Sequence, residues 1–376
     1  MKTFRITHTA DLHLGSHFSS TPEIAASRKM EQLENLRNII KIAHEDNSEA
    51  LLICGDLFDT LRVDSQLLAE VQSILGSSDL YVFISPGNHD PATPDSSYMM
   101  EGWPDNVHIF RGGLECVELE GKDVCIWGLG FRHSIEAESL LYTFIPQDKK
   151  INILMMHGEV VPDENSESRY NPVTPERLAS LGVDFCALGH IHKPAHNSIG
   201  DFCYCNAGCP SGRGFDEQGD RGVYCGYVSH GFSHVQFVPI PSRRYRSEKV
   251  DVSGCVVADE FCARIKEALQ KSYGEDYNRH IYDVTMLGTL PKGVMPDSRA
   301  IARLLMEEIH YTRITDMTTT ELDIDTLMKD GSLRGAFVRT IIGRMEKDPK
   351  NRNKYLRALV YGLRAFDGEV RINEDY

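Results

Sequence analysis

No uninterrupted apolar stretch in this chain is long enough to span a bilayer, and its start, Met1-Lys2-Thr3-Phe4-Arg5, carries no apolar signal core. The expectation is a cytoplasmic protein without a membrane partner. A second Cys pair at zinc-ribbon spacing is also missing, although the chain has ten cysteines. Without a secretion signal these read as reduced thiols. The Cys203, Cys205, Cys209 cluster reads as packing near a strand, because buried cysteine behaves as a small hydrophobe. Internal repeats and low-complexity tracts are absent, which argues against a repeat architecture. Positive charge is in deficit: 40 Lys and Arg against 55 Asp and Glu leave a net −15. Such a chain does not draw polyphosphates by long-range fields, which counts against autonomous nucleic-acid binding. The deficit is uneven, since Arg352, Lys354, Arg357, Arg364 and Arg371 crowd together. Bound divalent cations would also reverse the sign locally.

What is present is an ordinary globular mixture, 41% hydrophobic and 25% charged over 376 residues, enough for two domains. Apolar runs predict strands over 4–9, 51–54, 81–84, 151–156 and 185–188. Between them, Leu33, Leu36, Ile40 and Ala43 predict a helix over 23–46, and Leu68, Val71, Ile74 and Leu75 predict another over 65–75. This alternation implies a sheet covered by helices. From 107 to 129 the pattern predicts antiparallel additions, and segments 202–206, 223–228 and 233–238 extend the β content. The predicted class is α/β: a two-sheet β-sandwich flanked by helices over residues 1–245, then a smaller α/β domain over 246–376. The latter has predicted strands at 250–252 and 280–289 and helices at 259–271, 298–310, 332–345 and 352–366. The last helix carries Leu356, Leu359, Val360 and Leu363 and is expected to pack on its own domain.

Five short motifs stand where these strands end: Asp11-Leu12-His13, Gly55-Asp56-Leu57-Phe58-Asp59, Gly87-Asn88-His89-Asp90, His157-Gly158 and Gly189-His190-Ile191-His192. A parallel sheet gathers its strand ends along one edge, so residues remote in sequence converge there. The candidate metal donors are Asp11, His13, Asp56, Asn88, His157, His190 and His192. Mixed nitrogen and oxygen donors favour manganese, iron or zinc over magnesium or calcium. Two divalent ions against two carboxylates leave a positive centre that suits a phosphate ester. Ions roughly 3.5–4 Å apart can activate water and clamp an in-line displacement. His89 is expected to stabilise or protonate the leaving oxygen, Asp90 to orient its ring, and Asp59 to support Asp56. Singly, each motif says little; Gly87-Asn88 suits any turn, and His190 and His192 read equally as a core pair. Five in order, each beside a predicted strand, point to a metal-dependent hydrolase. His8, His17, His44, His108 and His133 lack such a context and are expected to be structural.

This ordered set resembles the calcineurin-like metallophosphoesterases. Within them, the segment His8-Thr9-Ala10-Asp11-Leu12-His13-Leu14-Gly15 and the motif Gly55 to Asp59 resemble the SbcD branch, nuclease subunits of SbcCD-type DNA repair complexes. The resemblance covers about residues 1–240. It implies one metal held by Asp11, His13, Asp56 and His192, a second held by Asp56, Asn88, His157 and His190, and His89 as the catalytic histidine. It further implies two divalent ions, most often manganese, and phosphodiester cleavage in DNA as an exonuclease with some single-strand endonuclease action. A coiled-coil ATPase of the SbcC type, a homodimer and a capping role for residues 246–376 are implied as well. Residues Pro210 to Glu217 resemble a loop that follows the last histidine motif in part of that branch. Arg213 within it is expected either to meet a phosphate or to sit in a Gly-rich turn. Two rival readings stay open: a small-molecule phosphodiesterase acting on cyclic nucleotides or nucleotide-sugar diesters, and a catalytically idle subunit that scaffolds an ATPase.

Overall fold

The computed structural model describes residues 2–141, 146–147, 149–320 and 324–366; Arg371 lies outside them. Contacts divide the chain into two units, Met1–Tyr245 and Arg246–Tyr376. In chain order the first unit has β1 (Thr3–Thr9), α1 (Ala25–Glu45), β2 (Ala50–Cys54), α2 (Ser65–Gly76), β3 (Tyr81–Ser85), β4 (Val107–Ile109), β5 (Glu115–Leu119) and β6 (Val124–Gly128). There follow β7 (Ile151–His157), α3 (Pro175–Ser180), β8 (Phe185–Gly189), β9 (Ala195–Ile199), β10 (Phe202–Asn206), β11 (Gly222–Ser229) and β12 (Phe232–Pro239). They form two six-stranded sheets, ordered β12-β11-β1-β2-β3-β4 and β5-β6-β7-β8-β10-β9. This is the expected helix-flanked two-sheet sandwich.

Side-chain parity explains why the central strands are apolar throughout. In β2, Ala50, Leu52 and Cys54 face the second sheet, packing with Ile153, Met155, Phe185 and Ala187. Leu51 and Ile53 face the other way, against Leu36 and Ile39 of α1 and Leu68 and Val71 of α2. On the outer face of the second sheet Leu154, Met156, Cys186 and Leu188 pack with Leu178 of α3. Each fully buried aliphatic side chain stabilises by about 1.5–3 kcal/mol. Asp64 starts α2 by accepting a hydrogen bond from Leu67 N at 2.9 Å.

One expectation fails in this unit. The segment after residue 107 does not begin an antiparallel addition, because β4 pairs parallel with β3 and closes the first sheet. Only β5 pairs antiparallel, with β6, while β6 runs parallel to β7. Length and alternation carry no information about strand direction; the route of the connection decides it.

The second unit contains β13 (Tyr245–Asp251), α4 (Ala258–Tyr273), β14 (Ile281–Leu287), β15 (Thr289–Leu290), α5 (Ser298–Leu305), β16 (Tyr311–Asp316), β17 (Thr319–Thr320), α6 (Ile324–Lys329), α7 (Leu333–Lys347) and α8 (Arg352–Phe366). A three-stranded sheet β13-β14-β16 packs its Val250, Tyr282 and Val284 against Phe261 and Ile265 of α4 and Ile301 and Leu305 of α5. The strand expected over 280–289 is broken at Gly288, which has φ +108°. The helix expected over 298–310 stops at Leu305 so that β16 can pair with β14. In α8 the packed face is Tyr355, Leu359 and Leu363 against Val338 and Ile341 of α7, while Leu356 is exposed. Among the described residues no helix is long and apolar enough to cross a membrane.

Candidate metal centre

The C-terminal ends of β1, β2, β3, β7 and β8 lie along one edge, and the five motifs emerge from them. The two sheets close tightly there, since a Cβ added to Gly189 of the second sheet would stand 1.7 Å from Cys54 O of the first; on the side of the first sheet, one added to Gly87 would stand 2.1 Å from Asp56 Oδ1. The turns leaving these strands are strained. Asp11, His13, Asp56 and His190 all have φ in the left-handed region, at 52°, 46°, 47° and 101°. Such conformations cost free energy in non-glycine residues and persist where surrounding structure over-determines them. Here the backbone supplies that determination, since His13 N donates to Asp56 O at 2.9 Å and Asp11 N to Gly55 O at 3.1 Å.

All seven predicted donors are brought together. Donor atoms of Asp11, His13 and His192 lie within 4.8 Å of one another, and so do those of Asp11, Asp56 and His157. Asp56 Oδ2 stands 3.7 Å from His13 Nε2 and 3.7 Å from His157 Nε2, midway between the two groups. Asn88 Oδ1 is 2.9 Å from His157 Nε2 and 3.2 Å from His190 Nδ1. His190 N donates to both oxygens of Asp11 at 3.1 Å. His89 is at the rim with its side chain 41% exposed, its ring edge-on to His13 at 4.7 Å.

Tautomers show what the cluster can accept. His157 Nδ1 lies 3.2 Å from Cys54 O, which only accepts, so Nδ1 carries the proton and Nε2 presents a lone pair toward the oxygen of Asn88. His192 Nδ1 likewise meets Glu217 Oε1 at 2.6 Å, which leaves its Nε2 facing His13 Nε2 at 3.2 Å. Lone pairs this close repel unless a cation lies among them. Burial lowers His157 to about 3 and His13 to about 4, and burial with the neighbouring His157 lowers His190 to about 4, so these imidazoles are neutral. Burial first, and then Asp56, push the Asp11 carboxyl far above its ordinary value. Two buried acids, three neutral imidazoles and the Nε2 lone pair of His192 therefore fit divalent cations. Asp11, His13, Asp56 and His192 could hold one, and Asp56, Asn88, His157 and His190 another.

Two expected roles need correction. Asp90 does not orient the His89 ring. It is fully buried, and its oxygens accept from Gly87 N at 2.9 Å, Phe58 N at 2.8 Å and Tyr98 Oη at 2.5 Å. It therefore ties the third motif to the second, and burial together with Asp56 raises it to about 7. Asp59 does not support Asp56. Its Oδ1 is 3.1 Å from His13 Nδ1 and 2.9 Å from Arg213 Nη1, and its carbonyl lies 3.2 Å from His89 Nδ1. Burial acts to raise Asp59, but His13 and Arg213 together hold it at about 2.

Arg213 reaches the cluster as an element of its frame, engaged by Asp59 and, at 3.3 Å, by Glu217 Oε1. The loop carrying it is anchored by Arg28, a fully buried side chain of α1 that donates to Ser211 Oγ at 2.7 Å and Gly212 O at 3.1 Å. Glu217, Arg28, Tyr98 and Asn171 were not singled out in the sequence. Asn171 Nδ2 donates to His157 O at 2.8 Å. For Glu217 the available signal was an acid close after Arg213 in a loop already noted; the others carry none. Of the histidines outside the motifs, His8 is fully buried with Nε2 3.0 Å from Leu188 O, a structural placement.

The model of the calcineurin-like phosphoesterase family matches residues 4–194. An uncharacterized metallophosphoesterase, YhaO of Bacillus subtilis (strain 168), is 30% identical over 259 residues, covering 65% of this chain and 62% of that protein. The DNA double-strand break repair protein Mre11 of Aeropyrum pernix is 25% identical over 209 residues, covering 50% and 49%. A UDP-2,3-diacylglucosamine hydrolase of Shewanella frigidimarina is 26% identical over 173 residues, covering 41% and 72%. The chain thus spans less than two thirds of the length of the first two relatives. The family match takes in half of the sequence and contains every one of the seven clustered donors, and on that ground the chain belongs to the calcineurin-like phosphoesterase family.

Proposed function

We propose that this chain is a phosphodiesterase dependent on two divalent metal ions, that its substrate is DNA, and that it belongs to the SbcD branch of its family. The observation that carries the hydrolytic reading is the position of Asp56, with one oxygen 3.7 Å from imidazoles of both donor groups. Asp11, His13 and His192 would hold one ion with Asp56, and Asn88, His157 and His190 would hold the other. Manganese suits the donor set best, with iron or zinc as alternatives. Ions held there would activate water and offset the charge of a phosphodiester. Asn88 and the neutral imidazoles keep the centre positive despite the net −15 of the chain. His89, at the rim with Nδ1 against the Asp59 carbonyl, is assigned the protonation of the leaving oxygen. Arg213 is assigned to holding Asp59 and Glu217; direct phosphate contact would require its release from both acids.

DNA as the substrate is supported by the likeness to Mre11 and by the Leu57-Phe58 form of the second motif. An SbcC-type coiled-coil ATPase partner, a homodimer and a capping role for the second unit belong to the same proposal. One observation favours a small-molecule diester instead: the match to the UDP-2,3-diacylglucosamine hydrolase covers 72% of that protein. The deciding assay compares end-labelled duplex DNA, single-stranded DNA, a cyclic nucleotide and a nucleotide-diphosphate sugar, each with manganese at equal enzyme concentration. The expected outcome is degradation of DNA, lost in Asp56→Ala together with metal binding. In His89→Ala the rate should fall about 10²–10⁴-fold with metal binding kept. Turnover of only the small diesters would remove the DNA reading, and full activity in Asp56→Ala would remove the metal mechanism.

A further inference from the structure

A second group of metal-type donors lies on the β9–β10 hairpin. Cys205 pairs with His196 across the hairpin and Cys203 pairs with Ser198, so His196, Cys203 and Cys205 share one face. His196 Nε2 is 2.8 Å from Cys203 Sγ, and one donor atom from each of the three residues lies within 4.8 Å of the others. Both cysteines are buried, with their side chains in the core between the sheets, whereas His196 sits on the exposed edge strand. The ring of Tyr224, 6.1 Å from that of His196, borders the group.

We infer that His196, Cys203 and Cys205 form a separate site for a thiophilic transition-metal ion of the zinc(II) class. The donor set decides the class, since two sulfurs and one imidazole select zinc-like ions over manganese or magnesium. A divalent ion balanced by two thiolates is neutral overall, as a buried location requires; on binding, both thiols release their protons to solvent. The alternative pairing, a disulfide between the two cysteines, is poorly matched to the backbone. Alternate residues of an extended strand are about 6.4–6.8 Å apart at Cα, the upper end of the range a disulfide spans. An ion bonded to both sulfurs bridges that span without bending the strand. Three protein donors leave a fourth position for water. β9 begins only three residues after His192, so an ion here would fix the edge strand that leads directly from the histidine loop.

The test is a cobalt(II) titration of the reduced, metal-free full chain, followed by the thiolate-to-cobalt charge-transfer absorption. The nitrogen and oxygen donors of the Asp56 centre do not produce this band. In Asp56→Ala, where the other centre is lost, it should saturate at one equivalent, and it should persist in Cys209→Ser, which removes a thiol grouped with His192 and Glu217. It should vanish in Cys203→Ser and in Cys205→Ser. His196→Ala changes an exposed residue and so avoids a folding defect. It should weaken binding by at least the roughly 10–100-fold that even outer partners of a metal site contribute. Absence of the band in the wild-type chain, its survival in both cysteine variants, unchanged affinity in His196→Ala, or loss in Cys209→Ser would each overturn the assignment.

Discussion

At the residue scale, the candidate metal donors are held in place by neighbouring side chains outside the donor set. Glu217 is the clearest case. It meets His192 Nδ1 at 2.6 Å and accepts from Arg213 N at 2.8 Å, and these contacts keep its carboxyl ionised against burial. Glu217→Gln should leave the fold intact and lower manganese affinity by about 10–100-fold, measured by calorimetric titration, because the His192 ring loses its orienting anion. His8 makes a pH prediction. Burial lowers it to about 3 from an ordinary value of 6.5. Above 6.5 neither folded nor unfolded chain protonates it, so its stabilising contribution is fully present. As pH falls from there toward 3, the unfolded chain takes up a proton that the folded chain refuses, and stability declines. The slope from this one group is at most about 1.4 kcal/mol per pH unit. Urea unfolding at about pH 7 and about pH 5 should therefore show a larger loss in the wild-type chain than in His8→Gln.

At the level of elements, the site depends on how closely two sheets approach at their strand ends. Gly189 closes β8 where Cys54 ends β2, and a side chain there would strike the Cys54 carbonyl at 1.7 Å. Because the obstacle is backbone, it cannot rotate away. Gly189→Ala should cost about 1–3 kcal/mol, the usual penalty of overpacking, seen as a lower melting temperature together with weaker metal binding. The five strands and two long helices that frame the site were legible from apolar periodicity, because strands buried on both faces and one-striped helices leave strong patterns. The direction of β4, the early stop of α5 and the break at Gly288 were not, since each depends on a neighbour distant in sequence.

On the scale of the whole molecule, the first unit carries every donor of the centre and its own apolar cores on both sides of each sheet. A fragment of residues 1–245 should therefore fold, melt in one cooperative step and hydrolyse a small chromogenic diester at a rate within a few-fold of the full chain. A fragment that aggregates, or that folds without binding manganese, would show that the second unit is required to complete the centre. The same comparison on duplex DNA measures what the second unit adds toward a long substrate.

The primary structure alone determined the family of the chain, its sandwich architecture and the seven candidate donors, because the motifs follow apolar runs that read as strands, and the sheet-end edge is where such residues gather. Tertiary structure decided how those donors are kept in place. Asp90 turned out to serve the backbone of its neighbours, Asp59 and Glu217 to grip His13, His192 and Arg213, and His196 to meet Cys203 across a hairpin. Contacts of this kind join residues by geometry at a turn or across strands, and no spacing along the chain encodes them.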